Sequence, residues 1–218
     1  HLTTIEEVGA TRLGVKFSDE RNRSPSNSPL LPVSHSPEQT IASDRTVRLL
    51  DTTLRDGEQA PGVSLSPDEK VDIARALERA GVSTIEAGSA CTGAGERQAI
   101  SRVTDLDLDA RITSFCRGLK GDIDLALECG VDGVHIVVPA SDRHVEDKVG
   151  TSREDNLEKT AELVDYAKDN DLWVEVIGED GSRADLDYLE DLAEASLEAG
   201  ADRFCFADTV GHTGPEHT

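Results

Sequence analysis

A short apolar run passes directly into a polar loop in the segment Val47-Arg48-Leu49-Leu50-Asp51-Thr52-Thr53-Leu54-Arg55-Asp56-Gly57. The apolar part, Val47–Leu50, has the length and composition of a buried β-strand. The loop carries acids, hydroxyls and an arginine, whereas a doubly wound open sheet usually has a glycine-rich phosphate-binding turn after its first strand. Polar residues directly after a strand are instead typical of the face on which a β/α barrel holds its active site.

From Thr46 onward the chain alternates short β-branched runs with amphipathic segments. Helix starts are marked by a capping box, Ser66-Pro67-Asp68-Glu69, and by Ser152, whose helix is predicted to end near Asn170. Three helix ends share a glycine suited to the left-handed conformation, at Gly81, Gly130 and Gly200. The candidate strands are Val47–Leu50, Thr84–Ala87, Ile112–Phe115, Val134–Val138, Trp173–Ile177 and Phe204–Ala207.

This alternation predicts an α/β fold with a parallel sheet that is covered on both faces. Together with the polar loop after the first strand, it favours a TIM (β/α)8-type barrel over an open doubly wound sheet. Only about six strands can be found where a barrel has eight, so we expect an incomplete barrel of five βα units and a sixth strand within 45–218. The Ser/Pro-rich residues 1–44 show no sustained periodicity and are predicted to be a disordered leader outside the fold.

The charge of the chain excludes one class of partner. Its formal net charge is −22, from 44 acidic residues against 22 lysines and arginines, and the acids are spread along the folded region. Because phosphate binding needs a basic surface, a nucleic acid partner is not expected. Only 6 of the basic residues are lysines, a balance typical of proteins from salt-loaded cytoplasms, although an ordinary acidic enzyme is the alternative.

Cellular location is also constrained by composition. No apolar run approaches the roughly 18 residues of a membrane span, so no membrane association is expected. Four cysteines occur without a CxxC pair, which is typical of reduced, buried cysteines in a cytoplasmic protein rather than of a disulfide framework or zinc site.

The loop after the first predicted strand contains the residues best suited to chemistry. The carboxylate of Asp56 can bind a divalent cation through a hard oxygen ligand. The adjacent Arg55 can stabilise negative charge that develops on a substrate oxygen. A metal ion together with an arginine suits a 2-oxoacid substrate, but from spacing alone a solvent-exposed Asp–Arg loop is an equal alternative.

The segment Asp51-Thr52-Thr53-Leu54-Arg55-Asp56-Gly57-Glu58-Gln59 resembles the signature of the DRE-TIM metallolyase superfamily. The Claisen-type condensing branch of that superfamily includes isopropylmalate, citramalate and homocitrate synthases. The resemblance extends over about 46–214. Further collinear segments that carry it are Ile85-Glu86-Ala87-Gly88, Val134-His135-Ile136 with Ser141 and His144, Glu179-Asp180-x-x-Arg183, and Asp208-Thr209-Val210-Gly211.

The resemblance implies roles for seven side chains. The implied metal ligand is Asp56, for Mg²⁺, Mn²⁺ or Zn²⁺. The implied catalytic residues are Arg55, which stabilises the substrate oxygen, and Glu179, which supports enolisation of acetyl-CoA or the hydrogen-bond network around it. The implied substrate contacts are Gln59, Glu86, His135 and Thr209. For His135, a packed and hydrogen-bonded histidine within a strand is an equally good interpretation. The resemblance also implies acetyl-CoA and a 2-oxoacid as substrates, and a homodimer for the full-length enzyme.

Two features depart from the family pattern. Ile177 stands where the family often has a serine two positions before the acid corresponding to Glu179, which changes the polarity near the expected pocket. The family also completes its metal site with a His-x-His pair on a seventh strand. His212 and His217 lack that spacing and follow the sixth strand, so neither is predicted to be a ligand, and we expect the 218-residue chain to be inactive alone.

The sequence leaves the 2-oxoacid open. Ser89-Ala90 with Gly95-Glu96-Arg97 is more similar to archaeal citramalate synthases than to bacterial isopropylmalate synthases, which favours pyruvate, and hence isoleucine biosynthesis, over 2-oxoisovalerate and leucine biosynthesis. One methylene group gives only about 1–3 kcal/mol of discrimination, so isopropylmalate synthase activity is retained as a second hypothesis. Two further hypotheses are a lyase of the same superfamily and an inactive fragment.

The excess of acidic residues predicts that the full-length enzyme requires high salt to stay folded. Unscreened repulsion within a chain of net charge −22 opposes the compact state, and added salt screens it. We expect the thermal midpoint to be higher in multimolar KCl than in low salt, as measured by circular dichroism melts. Equal midpoints under the two conditions would rule this out.

Overall fold

The computed structural model describes residues 47–214. Six parallel strands lie side by side in the order β1-β2-β3-β4-β5-β6 and form a half-barrel, an incomplete TIM-type barrel. The strands are β1 (Leu50–Asp51), β2 (Thr84–Gly88), β3 (Arg111–Arg117), β4 (Gly133–Pro139), β5 (Trp173–Glu179) and β6 (Arg203–Phe206). The predicted leader, residues 1–44, lies outside the described residues.

One α-helix follows each of the first five strands. These helices are α1 (Pro67–Arg79), α2 (Ala94–Thr104), α3 (Lys120–Glu128), α4 (Arg153–Asp169) and α5 (Leu186–Glu198). Three short 3₁₀ helices, Gly57–Gln59, Ala90–Thr92 and Gly181–Arg183, and a π-helix, Arg143–Val149, occupy the loops after strands. The predicted five βα units and sixth strand are therefore confirmed, and none of the described helices is long and apolar enough to cross a membrane.

Local sequence signals set the helix ends as predicted. The Ser66 side chain accepts the N–H of Glu69 while the Glu69 side chain accepts the N–H of Ser66, which completes the capping box of α1. Ser152 caps α4, which ends before Asn170. The three helix-ending glycines have positive φ, at +84° for Gly81, +74° for Gly130 and +100° for Gly200, which a side chain would disfavour.

The first strand is shorter than predicted. Val47 and Leu49 are exposed, and pairing with β2 begins only at Leu50, opposite Thr84. The Leu49 carbonyl accepts hydrogen bonds from the N–H groups of Ser83 and Thr84, so the chain enters the sheet at this point. An apolar run therefore predicted the strand but not the residue where its hydrogen-bonded ladder begins.

The core lies between the sheet and its helices and consists mainly of small aliphatic side chains. Fully buried members include Ile85, Val134, Ile136, Val174 and Leu192. All four cysteines are free, and burial raises the pKa of the Cys205 thiol to about 12. The sheet that carries the functional loops is thus held by ordinary close packing.

Two glycine substitutions test the β4–β5 pairing. A Cβ atom on Gly133 would lie 2.5 Å from the backbone oxygen of Trp173, so we expect Gly133→Ala to lower the free energy of unfolding by about 1–3 kcal/mol, as measured in urea. Gly121 lies in α3 with no neighbour within 4 Å of a Cβ atom, so Gly121→Ala should raise stability by up to about 1 kcal/mol. Equal effects of the two changes would contradict the pairing.

Candidate active site

The side chains predicted to act in chemistry follow the C-terminal ends of strands that run parallel. Arg55 and Asp56 follow β1, Glu179 ends β5, and Thr209 follows β6. In a parallel sheet these ends share one edge, which is the edge where barrels hold their active sites. The structure therefore places all four residues on the same edge.

The loop from Thr52 to Gly57 is a tight turn that presents Arg55. The backbone N–H groups of Arg55, Asp56 and Gly57 all point to the carbonyl oxygen of Thr52, at 2.8–3.1 Å. Asp51 fixes the start of this turn by accepting hydrogen bonds from the backbone N–H and the hydroxyl of Thr53. The position of Arg55 is thus determined largely by backbone hydrogen bonds.

The guanidinium group of Arg55 is held from three directions. Its Nε donates to Glu86 Oε2 at 2.6 Å, its Nη1 donates to Asp56 Oδ1 at 2.9 Å, and its Cζ lies 4.6 Å from the centroid of the Phe115 ring. Among residues 47–214, Nη2 makes no hydrogen bond. The hydrogens of this nitrogen are therefore not used by the described part of the chain.

Glu86 is the buried partner of Arg55. A register shift between Glu86 and Gly88 interrupts the pairing of β2 with β3, as β-bulges beside active sites often do. Burial alone would raise the pKa of the Glu86 carboxyl, but the hydrogen bond to His135 and the charges of His135 and Arg55 outweigh it, so this pKa lies below its ordinary value. Glu86 is consequently a carboxylate that orients Arg55.

A layer of buried charges continues from Glu86 across the sheet. His135 Nδ1 lies 2.7 Å from Glu86 Oε1, and His135 Nε2 lies 3.4 Å from Glu175 Oε2. Arg203 Nη2 donates to the same oxygen of Glu175 at 3.1 Å. Each carboxylate in this layer faces positively charged or nitrogen-bearing neighbours, as buried charges require.

A second group of polar contacts centres on Asp180, a fully buried residue with left-handed backbone (φ +63°). Its carboxylate accepts two hydrogen bonds from Arg183, each 2.7 Å long, and one from the Ser141 hydroxyl at 2.6 Å. Its backbone N–H donates to Thr209 Oγ1 at 3.0 Å. Burial would raise the Asp180 pKa, but the hydrogen bonds from Arg183 and Ser141 hold it below its ordinary value.

Glu179 faces two basic residues of the π-helix. Lys148 Nζ donates to Glu179 Oε2 at 2.5 Å, and His144 Nδ1 lies 3.3 Å from the same oxygen. Both Glu179 and Lys148 are partly exposed to solvent. The Glu179 carboxylate is therefore accessible to solvent and lies beside one positively charged side chain and one that can be protonated.

Among the described residues, hydrogen bonds and ion pairs join the predicted residues into two separate groups. One group contains Asp56 and the Arg55–Glu86–His135 chain. The other contains Thr209, which is hydrogen-bonded to Asp180, and Glu179, which His144 connects to Asp180. Gln59 ends an exposed 3₁₀ helix and belongs to neither. Sequence reasoning assigned no role to four residues of these groups, Glu175, Arg203, Lys148 and Asp180. Glu175 could have been found, because it is an acid between Val174 and Val176 in an apolar strand.

A metal site does not follow from these residues alone. Asp56 has 62% of its side chain exposed, and its Oδ1 already accepts the hydrogen bond from Arg55. Within residues 47–214, no three His, Cys, Asp or Glu side chains are grouped so that they could hold a metal ion. One carboxylate rarely holds a catalytic divalent ion firmly, so the described residues do not fit a complete metal site.

Proteins of known sequence resemble this chain over most of its length. A protein of Methanopyrus kandleri named "Putative (R)-citramalate synthase CimA" is 52% identical over 170 residues, which are 78% of this chain and 33% of that protein. The (R)-citramalate synthase CimA of Methanocaldococcus jannaschii is 49% identical, with 78% and 35% covered. A "Probable 2-isopropylmalate synthase" of Methanopyrus kandleri is also 49% identical, with 78% and 34% covered. The chain thus spans about a third of the length of these relatives.

Solved structures agree on the fold. The HMG-CoA lyase of Bacillus subtilis superposes with a TM-score of 0.65 at 21% identity, over 78% of this chain and 61% of the lyase. An HMG-CoA lyase of Acinetobacter baumannii, solved with coenzyme A and 3-methylmalate, superposes with a TM-score of 0.64 at 17% identity, over 78% and 59%. The family profile described as HMGL-like matches residues 46–218, nearly the whole of the segment that shows βα repetition. With this match and the polar edge of the half-barrel, the chain belongs to the HMGL-like family.

Proposed function

We propose that the chain is part of an acyltransferase that condenses acetyl-CoA with a 2-oxoacid, with pyruvate as the favoured substrate and (R)-citramalate as the product. The observation that carries this proposal is the position of Arg55, whose Nε is fixed by buried Glu86 while Nη2 is left without a protein partner among residues 47–214. The relatives named citramalate synthases, at 49–52% identity, support the choice of reaction.

The reaction needs positive charge where Arg55 lies. Removal of a proton from the methyl group of acetyl-CoA gives an enolate, whose carbon forms a bond with the ketone carbon of the 2-oxoacid. The electron pair of the ketone moves to its oxygen, which then takes up a proton, and water hydrolyses the thioester to release coenzyme A. Arg55 stabilises the negative oxygen, because a preorganised guanidinium group acts most strongly on charge that develops during the reaction.

The second group of residues supplies the other requirements. Glu179 is a partly exposed carboxylate beside His144 and Lys148, so it can accept or relay the proton from the methyl group. Thr209 would bind the substrate carboxylate, and its hydroxyl is oriented by the backbone N–H of Asp180. In this proposal Gln59 and Glu86 border the 2-oxoacid, and His135 supports Glu86.

Asp56 is proposed as one ligand of a divalent cation, Mg²⁺, Mn²⁺ or Zn²⁺, which would polarise the 2-oxoacid. The remaining ligands would have to come from outside residues 47–214, as would any homodimer contact. Because the chain covers about a third of its relatives, the proposed activity is that of a protein with the remaining strands.

Isopropylmalate synthase activity is the second candidate. It is supported by the relative of that name, whose 49% identity is close to that of the citramalate synthases. The sequence Ser89-Ala90, directly after β2, favours pyruvate, and comparing turnover with pyruvate and with 2-oxoisovalerate decides between the two. The structural similarity to HMG-CoA lyases, at 21% identity, supports the fold and not a lyase reaction.

The proposal predicts a large loss of activity when Arg55 is replaced. Thiol release from acetyl-CoA is measured with each 2-oxoacid and Mg²⁺ or Mn²⁺. It is measured for the 218-residue chain and for a chimera that adds the residues following the matched segment of the Methanocaldococcus jannaschii relative. We expect turnover by the chimera only, and a decrease in kcat of about 10²–10³-fold for Arg55→Gln, because a guanidinium donor to the oxyanion is lost.

The matched control is Arg79→Gln, at the exposed C-terminal end of α1, which should leave kcat unchanged. An Arg55→Gln chimera that turns over as fast as this control would contradict the role of Arg55. A chimera that releases no thiol with either 2-oxoacid would contradict the proposed reaction.

A further inference from the structure

Lys70 of α1 is a buried charged residue that the proposed chemistry does not use. Its residue exposure is 0%, and it is the largest fully buried side chain within residues 47–214. Its ammonium group donates to the Leu54 carbonyl at 3.0 Å and to both carboxylate oxygens of Glu96, at 2.8 and 2.9 Å. Glu58 Oε2 lies 2.7 Å from the same nitrogen. Four protein oxygens therefore lie within 3.0 Å of this nitrogen.

The partners of Lys70 lie in the loop that carries Arg55 or contact the next loop along the sheet. Leu54 directly precedes Arg55, and Glu58 Oε1 accepts the N–H of Leu65, so both are part of the β1–α1 loop (residues 52–66). Glu96 Oε1 accepts the N–H of Ser89, the first residue of the β2–α2 loop (residues 89–93). One ammonium group thus connects the two loops that precede α1 and α2.

Gly88 provides the space for this contact. A Cβ atom on Gly88 would lie 2.0 Å from Glu96 Oε1 and 3.2 Å from Ile100 Cγ1. Any side chain at this position would push the Glu96 carboxylate away from Lys70. The lack of a side chain at Gly88 therefore leaves room for the Glu96–Lys70 ion pair.

The contacts of Lys70 with Glu58 and Glu96 are electrostatic as well as steric. Glu58 and Glu96 both face Lys70, with 23% and 20% of their side chains exposed, so one positive charge separates two carboxylates. Burial would raise the pKa of the Glu58 carboxyl, but the hydrogen bonds from Lys70 and Leu65 and the charge of Lys70 hold it below its ordinary value. Without the ammonium group, the two carboxylates would repel each other and separate the loops.

We propose that Lys70 is a positioning residue: its ammonium group fixes the turn that carries Arg55 against the β2–α2 loop, and thereby sets where the Arg55 guanidinium meets the 2-oxoacid. The part of this inference that concerns the 2-oxoacid rests on the proposed function. The part that concerns the two loops rests on the contacts of Lys70 alone. A misplacement of a reacting group by about 1 Å can cost about 10²-fold in rate, so a tether of this kind acts on kcat.

The test compares Lys70→Met and the double variant Lys70→Met/Glu96→Gln with Lys159→Met, a change of an exposed lysine on α4. Amide hydrogen exchange is measured on the 218-residue chain for Asp56, Leu65 and Ser89, whose N–H groups are hydrogen-bonded within or beside the two loops. Thermal midpoints are measured in parallel, and kcat is measured on whichever form turns over in the condensation assay.

In Lys70→Met we expect these three amides to exchange about ten-fold faster while the amides of β4 and β5 keep the rates seen in Lys159→Met. We expect kcat to fall about 10- to 100-fold. The thermal midpoint of the double variant should return to that of the unsubstituted protein, because the carboxylate repulsion is removed. Its loop amides should still exchange fast, and its kcat should stay low.

Unchanged loop exchange would overturn the proposal, and so would recovery of kcat together with the midpoint in the double variant, since Lys70 would then only balance charge. If neither the 218-residue chain nor the chimera, both without substitutions, releases thiol with any 2-oxoacid, the proposed function fails, and the exchange rates alone decide whether Lys70 holds the two loops.

Discussion

The ion pair between Arg55 Nε and Glu86 Oε2, 2.6 Å long with Glu86 fully buried, is the interaction on which the geometry of the site depends. It joins the loop after β1 to the interior of β2, and Glu86 in turn contacts His135 on β4. A carboxylate without access to water is stable only with such partners, so the three side chains fix one another. The direction of the Arg55 guanidinium is therefore set by the half-barrel interior.

Different structural elements position the side chains around this ion pair. The Thr52 carbonyl shapes the turn before Arg55, and Phe115 covers one face of the guanidinium group. The second group, around Asp180, orients Thr209 and leaves Glu179 accessible. Two hydrogen-bonded groups of side chains on one edge of a parallel sheet can position two bound molecules for a reaction.

Sequence patterns could predict most of the fold because its signals are local. The capping box at Ser66 and the glycines at Gly81, Gly130 and Gly200 each act through a few neighbouring residues. The start of β1 could not be predicted from such signals, because pairing with β2, and not the apolar run, decides where the ladder begins. The incomplete barrel followed from the number of strands.

The candidate site was predictable only in part, for a physical reason. Arg55 and Asp56 stand in a contiguous motif, whereas the contacts of Glu86 with His135 and of Glu175 with Arg203 join residues on different strands. The role of Lys70 could not be predicted either. In the sequence it resembles any other lysine in a helix, and only the structure shows Glu58 and Glu96 on either side of it. Such pairings depend on register and loop geometry, which a single sequence does not specify.

The central claim, that buried Glu86 holds Arg55 so that Nη2 meets the oxygen of a 2-oxoacid, is tested most directly by a crystal structure with pyruvate bound, obtained for the chimera that turns over. We expect Nη2 to lie about 3 Å from the ketone oxygen of pyruvate while Nε keeps its hydrogen bond to Glu86. Pyruvate bound away from Arg55, or an Arg55 side chain that has left Glu86 to reach it, would contradict this claim.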